Sequence, residues 1–183
     1  MRIVGGTGSV EAPHSHLVES LWESPTLDLL DLTGAVLTDL RLTDPRITQI
    51  VARESRWRDV EITGGRIGTL DLTRAELDGV VIRGIRIDYL ALPSASVRHV
   101  RLIDCDFGTI DFPDARVERV ACDGCRADEV DTRGLRAAHT DLRGIEVLSF
   151  TDMSALRGVT LSSRQVEQHS AALASALGIR TQD

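Results

Sequence analysis

Three cysteines and two histidines are the residues of this chain whose types and spacing could do chemistry. In ACDGCRAD, Cys122 and Cys125 stand in C-x-x-C spacing beside acidic residues, and Cys105 lies upstream. That spacing suits half a zinc site, a redox pair, or thiols that only pack. Zinc needs four converging ligands, a redox pair needs a reachable thiolate, and packing needs neither. His99 and His139, with Asp141 near the second, are the candidates for proton transfer. General acid–base work also needs a reacting group within hydrogen-bond reach and a pocket that holds substrate. Which reading applies depends on where each side chain points, so the elements that carry them come first.

Composition sets the outer limits. A chain of 183 residues, 42% hydrophobic and 27% charged, suits one domain with a real core. Aromatics are 3%, so that core is aliphatic. The formal charge of -7 opposes nonspecific binding to nucleic acid or anionic membrane and favours a cationic partner. No apolar run approaches the roughly 20 residues that cross a bilayer, and no signal-peptide pattern opens the chain. The expected compartment is the cytoplasm. All 21 basic residues are Arg and there is no Asn, as GC-rich coding in a bacterium produces.

Arg2 to Gly6 reads RIVGG, which is similar to the activation site of trypsin-like proteases. That chemistry needs a Ser in a Gly-rich loop and a His with an orienting Asp, and neither GDSGG nor AAHC occurs. The GGTGS that follows lacks the Lys and the βαβ context of a phosphate loop. Residues 1–26 are therefore expected to form a leader and a possible cap, with Leu17, Leu21 and Trp22 packed over the first coil.

Repetition is the main signal. From Leu32, every fifth residue through Leu37, Leu42, Ile47, Ala52, Trp57, Ile62 and onward to Val147 is apolar, with Thr132 as the polar exception. Two residues before each lies a second apolar or small column, from Leu30 and Ala35 to Ile145. A period of five fits neither the 3.6 of a helix nor the 2 of a long strand. The second column also repeats in size at every fourth quintet, with Leu30, Ile50, Leu70, Leu90, Ile110 and Val130 against Ala35, Ser55, Ala75, Ala95 and Ala115. Four quintets therefore make one square turn, and residues twenty apart stack. Gly34, Gly64, Gly79, Gly84, Gly124, Gly134 and Gly144 fall two after a central residue, where a tight turn with positive φ favours glycine. Pro93 and Pro113 fall one place earlier.

GAVLTDLRL, LDLTRAELDG and TDLRG carry the pattern A(D/N)Lxx, and the chain resembles a pentapeptide-repeat protein over residues 27–161. The resemblance implies an all-β fold, a right-handed quadrilateral parallel β-helix of about six to seven coils with both columns inside. Departures include Ala52 and Trp57 as central residues, Pro45 and Gly65 in the small column, and a slip at Thr151-Asp152-Met153 that is expected to end the solenoid. Trp57 shares its coil with Ala52, Ser55 and Gly65, which conserves core volume.

The register turns the cysteines inward. Cys122 is central, Cys125 lies in the inward column of the next quintet, and Cys105 stacks twenty before it. Buried structural thiols are expected, with no metal and no cofactor. At the end of the chain, 162–183, SSRQVEQHSAALASALG reads as a capping helix with Ser162 or Ser163 as N-cap. Val166, Ser170, Leu173 and Leu177 form its apolar stripe. In related proteins the corresponding end forms a dimer interface, so Val166, Leu173 and Leu177 are the candidate cap or dimer contacts.

Outward columns are where function is expected. One holds Asp31, Asp71, Asp111 and Asp131; another holds Arg46, Arg66, Arg86 and Arg126. They read either as opposed functional stripes or as solvated surface. No enzyme is expected, because a filled β-helix has no cavity. The favoured function is a protein-interaction or scaffold module with an unnamed partner. The resemblance supplies the alternative, since the family includes quinolone-resistance proteins whose acidic surface mimics duplex DNA and binds DNA gyrase.

Overall fold

Aliphatic side chains paired two residues apart in each quintet give short extended runs whose side chains alternate in and out. The chain folds accordingly in a computed structural model, which describes residues 7–180 and the backbone of Arg2–Val4. Positions 1, 5 and 6 of the expected leader and 181–183 of the tail lie outside the described residues. Parallel strands stack in two sheets. One begins with Arg2–Val4, His16–Glu23, Val36–Thr43 and Arg56–Thr63 and ends with Val159–Thr160; the other runs from Ser9–Glu11 through Thr26–Asp31 and Arg46–Val51 to Ile145–Phe150.

Partners are twenty residues apart nearly throughout, as in Leu37 with Trp57 and Ile110 with Val130. The solenoid has about eight turns, more than the six to seven expected. The difference lies mostly at the start. His16–Glu23 pairs with Val36–Thr43 in full register, so Trp22 stacks on Leu42 inside the core instead of lying over its end. Leu17 is partly buried against that core, and Leu21, aligned with Arg41, is on the outside. The stack therefore starts before residue 27.

Both inward columns form one continuous apolar core from Trp22 to Val147. Trp57 is accommodated as its small neighbours suggested, and also through a polar relay: its indole N–H donates to Ser55 Oγ at 2.8 Å, and Ser55 donates to the Ala52 carbonyl at 2.6 Å. The Trp22 indole has no such partner among the described residues.

In most coils three of the four corners hold a residue in the left-handed region, such as Gly34, Asp39 and Asp44, or Ser94, His99 and Asp104. Glycine is needed where stacking is tight. A Cβ on Gly65 would lie 2.2 Å from the Pro45 carbonyl in the coil before. Gly144 differs from the expectation: its φ is not positive, and it is small because a Cβ would meet the Cys122 carbonyl at 2.1 Å.

The slip is real but does not end the stack. Val130 still pairs with Phe150 at twenty residues, whereas Thr140 pairs with Val159 at nineteen. Between them a 3-10 turn, Met153–Ala155, replaces a regular corner. Thr132, the polar member of the central column, sits beside it and is buried. Its hydroxyl donates to the Asp152 carbonyl at 2.6 Å, and its amide donates to Thr151 Oγ1 at 3.3 Å. Earlier coils satisfy that amide through the backbone, as when Leu92 donates to the Asp111 carbonyl. A hydroxyl is needed where the ladder is interrupted.

Candidate interaction surface

Cys105, Cys122 and Cys125 are free and buried, as the register requires. Cys105 donates to the Ile103 carbonyl at 3.2 Å and Cys125 to the Asp123 carbonyl at 3.4 Å. Contact with Cys125 and burial push the Cys105 and Cys122 thiols up, away from thiolate. Among the described residues no group of three or more His, Cys, Asp and Glu side chains is placed to hold a metal ion. His99 and His139 share the corner column with Arg119 between them, and Arg119 Nη1 lies 3.4 Å from His99 Nε2. His99 Nδ1 is 2.8 Å from Asp78.

The Asp column is the main correction. It reads as outward acid, yet Asp71 is 7% exposed and Asp131 5%. Asp31, Asp71 and Asp131 each close the turn that follows. Asp31 accepts from the Thr33 amide at 2.9 Å and hydroxyl at 2.6 Å, and Asp71 accepts the same pair from Thr73. Asp71 also takes Arg53 Nε at 2.6 Å. Asp131 accepts from the Arg133 amide and guanidinium, and from Thr151 Oγ1 at 3.0 Å. The Thr33 hydroxyl and amide hold Asp31 below the usual carboxylate range. Burial pushes Asp71 up, but bonds from Thr73 and Arg53 outweigh it and the net shift is downward. The Arg133 side chain lowers Asp131 strongly.

Asp111 is the exception, because Pro113 stands two residues on and has no N–H to donate. It accepts instead from the Tyr89 hydroxyl at 2.7 Å, and this bond pushes the phenol up to about 12. Asp-x-Thr and Asp-x-Arg were the signals that could have marked the column as turn-forming.

The Arg column is exposed, but much of it is neutralised. Arg66 reaches Asp88 at 2.7 Å, and Arg86 reaches Asp88 and Asp106 at 3.0 Å each. Arg46 and Arg126 have no ion-pair partner among the described residues. Thr26, Arg46, Arg66 and Asp88 line an open surface groove floored by Gly65 and Gly68.

The expected cap is also corrected. The C-terminal segment forms two short helices, α1 (Ser163–Gln168) and α2 (Ser170–Ala176), separated at His169. Ser162 and Gln165 form a capping box. The side chains that dock are polar. Gln165 Nε2 donates to the Leu142 and Ile145 carbonyls at 2.7 Å each, and His169 Nε2 and Gln168 Nε2 reach the Val147 carbonyl at 3.1 and 3.2 Å. The reason is the unpaired edge of a parallel ladder. In earlier coils the carbonyls of Ile85 and Cys105 accept from the Asp106 and Arg126 amides, and no further coil supplies that donor to Ile145. Methyl groups could not replace it. Val166 and Leu177 stay 44% and 76% exposed, and Leu173 is half-buried.

Sequence reasoning missed a basic face. Ser96, Arg116 and Arg136 are directly stacked, with Arg98 on the same side and Arg119 at its corner. No column taken alone marks it, because the charges come from three adjacent columns.

No protein-family model matches the chain, and no curated protein does. Among solved structures the chain is similar to full-length QnrB1, a plasmid-mediated fluoroquinolone resistance protein, over 98% of this chain and 99% of that one, at 15% identity and a TM-score of 0.53. Two trypsin-treated forms of QnrB1 align at 13% and 11% identity, with TM-scores of 0.42 and 0.33. Likeness at this identity carries the fold. By its five-residue register and its stacked parallel coils, the chain is a parallel β-solenoid built on a five-residue repeat, similar in fold to QnrB1.

Proposed function

We propose that the protein is a non-enzymatic interaction module that binds a protein partner through the outside of its coils. The observation that carries this reading is the filled interior. The apolar core is continuous, and the void among Leu102, Phe112, Val120 and Thr132 measures about 30 Å³, space on the scale of water and not of a substrate. A substrate has no place inside, the three cysteines are buried, His99 is paired with Asp78, and Asp141 is held by Arg143. No described helix is long and apolar enough to cross a membrane.

Full-length likeness to QnrB1 favours one second reading, a DNA mimic that binds a type II topoisomerase such as DNA gyrase. Its acidic surface would have to extend beyond the Asp31 to Asp131 column, since Asp71 and Asp131 are buried and paired with Arg53 and Arg133. Asp104, Asp123, Asp128 and Glu129 are exposed and have no ion-pair partner among the described residues. A gyrase supercoiling assay separates the two readings. The module reading predicts no inhibition by the purified protein at large molar excess. Inhibition that disappears when those four residues become Ser would establish the mimic. A homodimer through the C-terminal end is part of the same proposal, with exposed Val166 and Leu177 as its contacts. Sedimentation velocity of the wild type against Leu177→Ser tests it, with concentration-dependent dimer expected in the wild type alone.

A further inference from the structure

Stacked coils bring side chains twenty residues apart to about 4.8 Å, so like charges in one column repel directly. Most of the surface answers this by alternating sign. Arg41 stacks with Glu61, Glu54 with Arg74, Arg56 with Glu76, and Asp78 with Arg98. Where Arg66 and Arg86 stack as like charges, Asp88 bridges both.

Arg46, in register with Arg66, lies outside that bridge, and the face carried by Ser96–Ile103, Arg116–Asp123 and Arg136–Ala138 has none at its Arg–Arg step. Arg116 is paired in register with Arg136, and neither has an ion-pair partner among the described residues. Arg101, around the corner and aligned with Ala121, has none either. Arg98 spans 3.5 Å to Asp78, and Arg119 takes Glu118 at 2.8 Å while also lying against His99. Four exposed arginines, Arg98, Arg116, Arg119 and Arg136, thus gather against Asp78 and Glu118 on a chain whose net charge is -7, and Arg101 extends the patch around the corner onto the side that carries Asp123 and Asp141. The net charge predicts a cationic partner for the molecule as a whole, and this face reverses the sign locally. Arg116 and Arg136 in register repel each other, and an anionic group between them removes that repulsion.

We infer that Arg98, Arg101, Arg116, Arg119 and Arg136 form a docking surface for an acidic segment of a partner protein. The inference rests on the interaction-module reading and names the chemistry of its partner. Carboxylates on alternate residues of an extended segment are about 6.6 Å apart, a spacing two adjacent coils can meet, and guanidinium binds carboxylate in a bidentate fork. Duplex nucleic acid fits less well. The face spans two coil-to-coil steps, roughly 10 Å, which reaches few phosphates, and the rest of the anionic surface repels the remainder.

The test is fluorescence anisotropy with a fluorescein-labelled deca-glutamate peptide and the full chain. The wild type is expected to bind, more weakly as salt rises. Arg101→Ser/Arg116→Ser/Arg136→Ser is expected to bind about tenfold more weakly with an unchanged thermal melt. Arg46→Ser/Arg126→Ser, which removes two equally unpaired arginines elsewhere, is expected to bind as the wild type does. Absent binding, or equal binding by the triple variant, overturns the proposal. So does tighter binding of an oligonucleotide of equal charge, which would assign the face to nucleic acid. Concentration-dependent self-association lost only in the triple variant would assign it to a second copy. Any of these failures leaves the module reading to be judged by the supercoiling assay.

Discussion

On one side of the solenoid, Asp71 and Asp131 have both carboxylate oxygens engaged by the turn that follows and by an arginine. On another, Arg101, Arg116 and Arg136 stand in solvent without an ion-pair partner among the described residues. Both sets flank inward residues and stack at the same spacing. What separates them is local. A carboxylate that finds an N–H two residues on is absorbed into the backbone, whereas an arginine, a donor only, has no use for that N–H. In this fold the following turn decides whether a charge is available to a partner.

The largest effect tests the inward and outward assignment under both sets. Leu72 is fully buried beside Asp71. Leu72→Asp places an unpaired charge in the stack, and the variant is expected to lose its cooperative urea transition. A transition close to the wild type's would break the comparison at its base.

Next comes the C-terminal edge, where the same contrast between engaged and exposed groups recurs. Gln165→Leu keeps the volume and leaves the Ile145 carbonyl without its donor, a loss of about 2 kcal/mol by chemical denaturation. Val166→Ser, one residue away and exposed, is expected to stay within about 0.5 kcal/mol. Equal losses would mean that the helices dock through the apolar stripe after all.

This edge also shows what the sequence could and could not carry. The core was legible because an apolar column at period five admits one architecture, and the cysteines followed from it. Residues before Leu27 were not, because Ser15 and Ser20 occupy the small column there and interrupt the pattern although His16–Glu23 stacks in register. The helix stripe misled because a 3.6 period assumes one continuous helix, and His169 divides it. Left-handed corners were readable at glycine but not at Asp39, His99 or Arg119, since a non-glycine residue there costs only about 1–2 kcal/mol. The Asp column was visible as charge, and its role lay in Thr33, Thr73 and Arg133 two residues on.

Smaller effects sharpen the contrast. Arg101→Ser/Arg116→Ser/Arg136→Ser is expected to match the wild type in stability within about 0.5 kcal/mol or to exceed it slightly, because repulsion is relieved. A marked loss would show that these arginines are structural. Tyr89, the single tyrosine of the chain, reports on Asp111 by ultraviolet titration. Its phenol is expected to ionise near 12. In Asp111→Ser the value should fall toward about 10, that of an ordinary tyrosine. An unshifted phenol in the wild type would remove the bond that sets Asp111 apart from its column.

The central claim, that the turn determines the fate of each acid, is tested most directly by urea unfolding of Asp131→Ala and Asp111→Ala side by side. The first loses charge-assisted bonds to the Arg133 amide and guanidinium, and a drop of about 2–3 kcal/mol is expected at neutral pH. The second loses no turn bond, and a drop under about 1 kcal/mol is expected. Because Asp131 is lowered in the folded state, its contribution is present above the unfolded carboxylate value near 3.9 and is lost as pH falls through the folded one. The gap between Asp131→Ala and the wild type should therefore narrow in acid. Equal losses for the two variants, or a gap that does not change below about pH 4, would contradict the account.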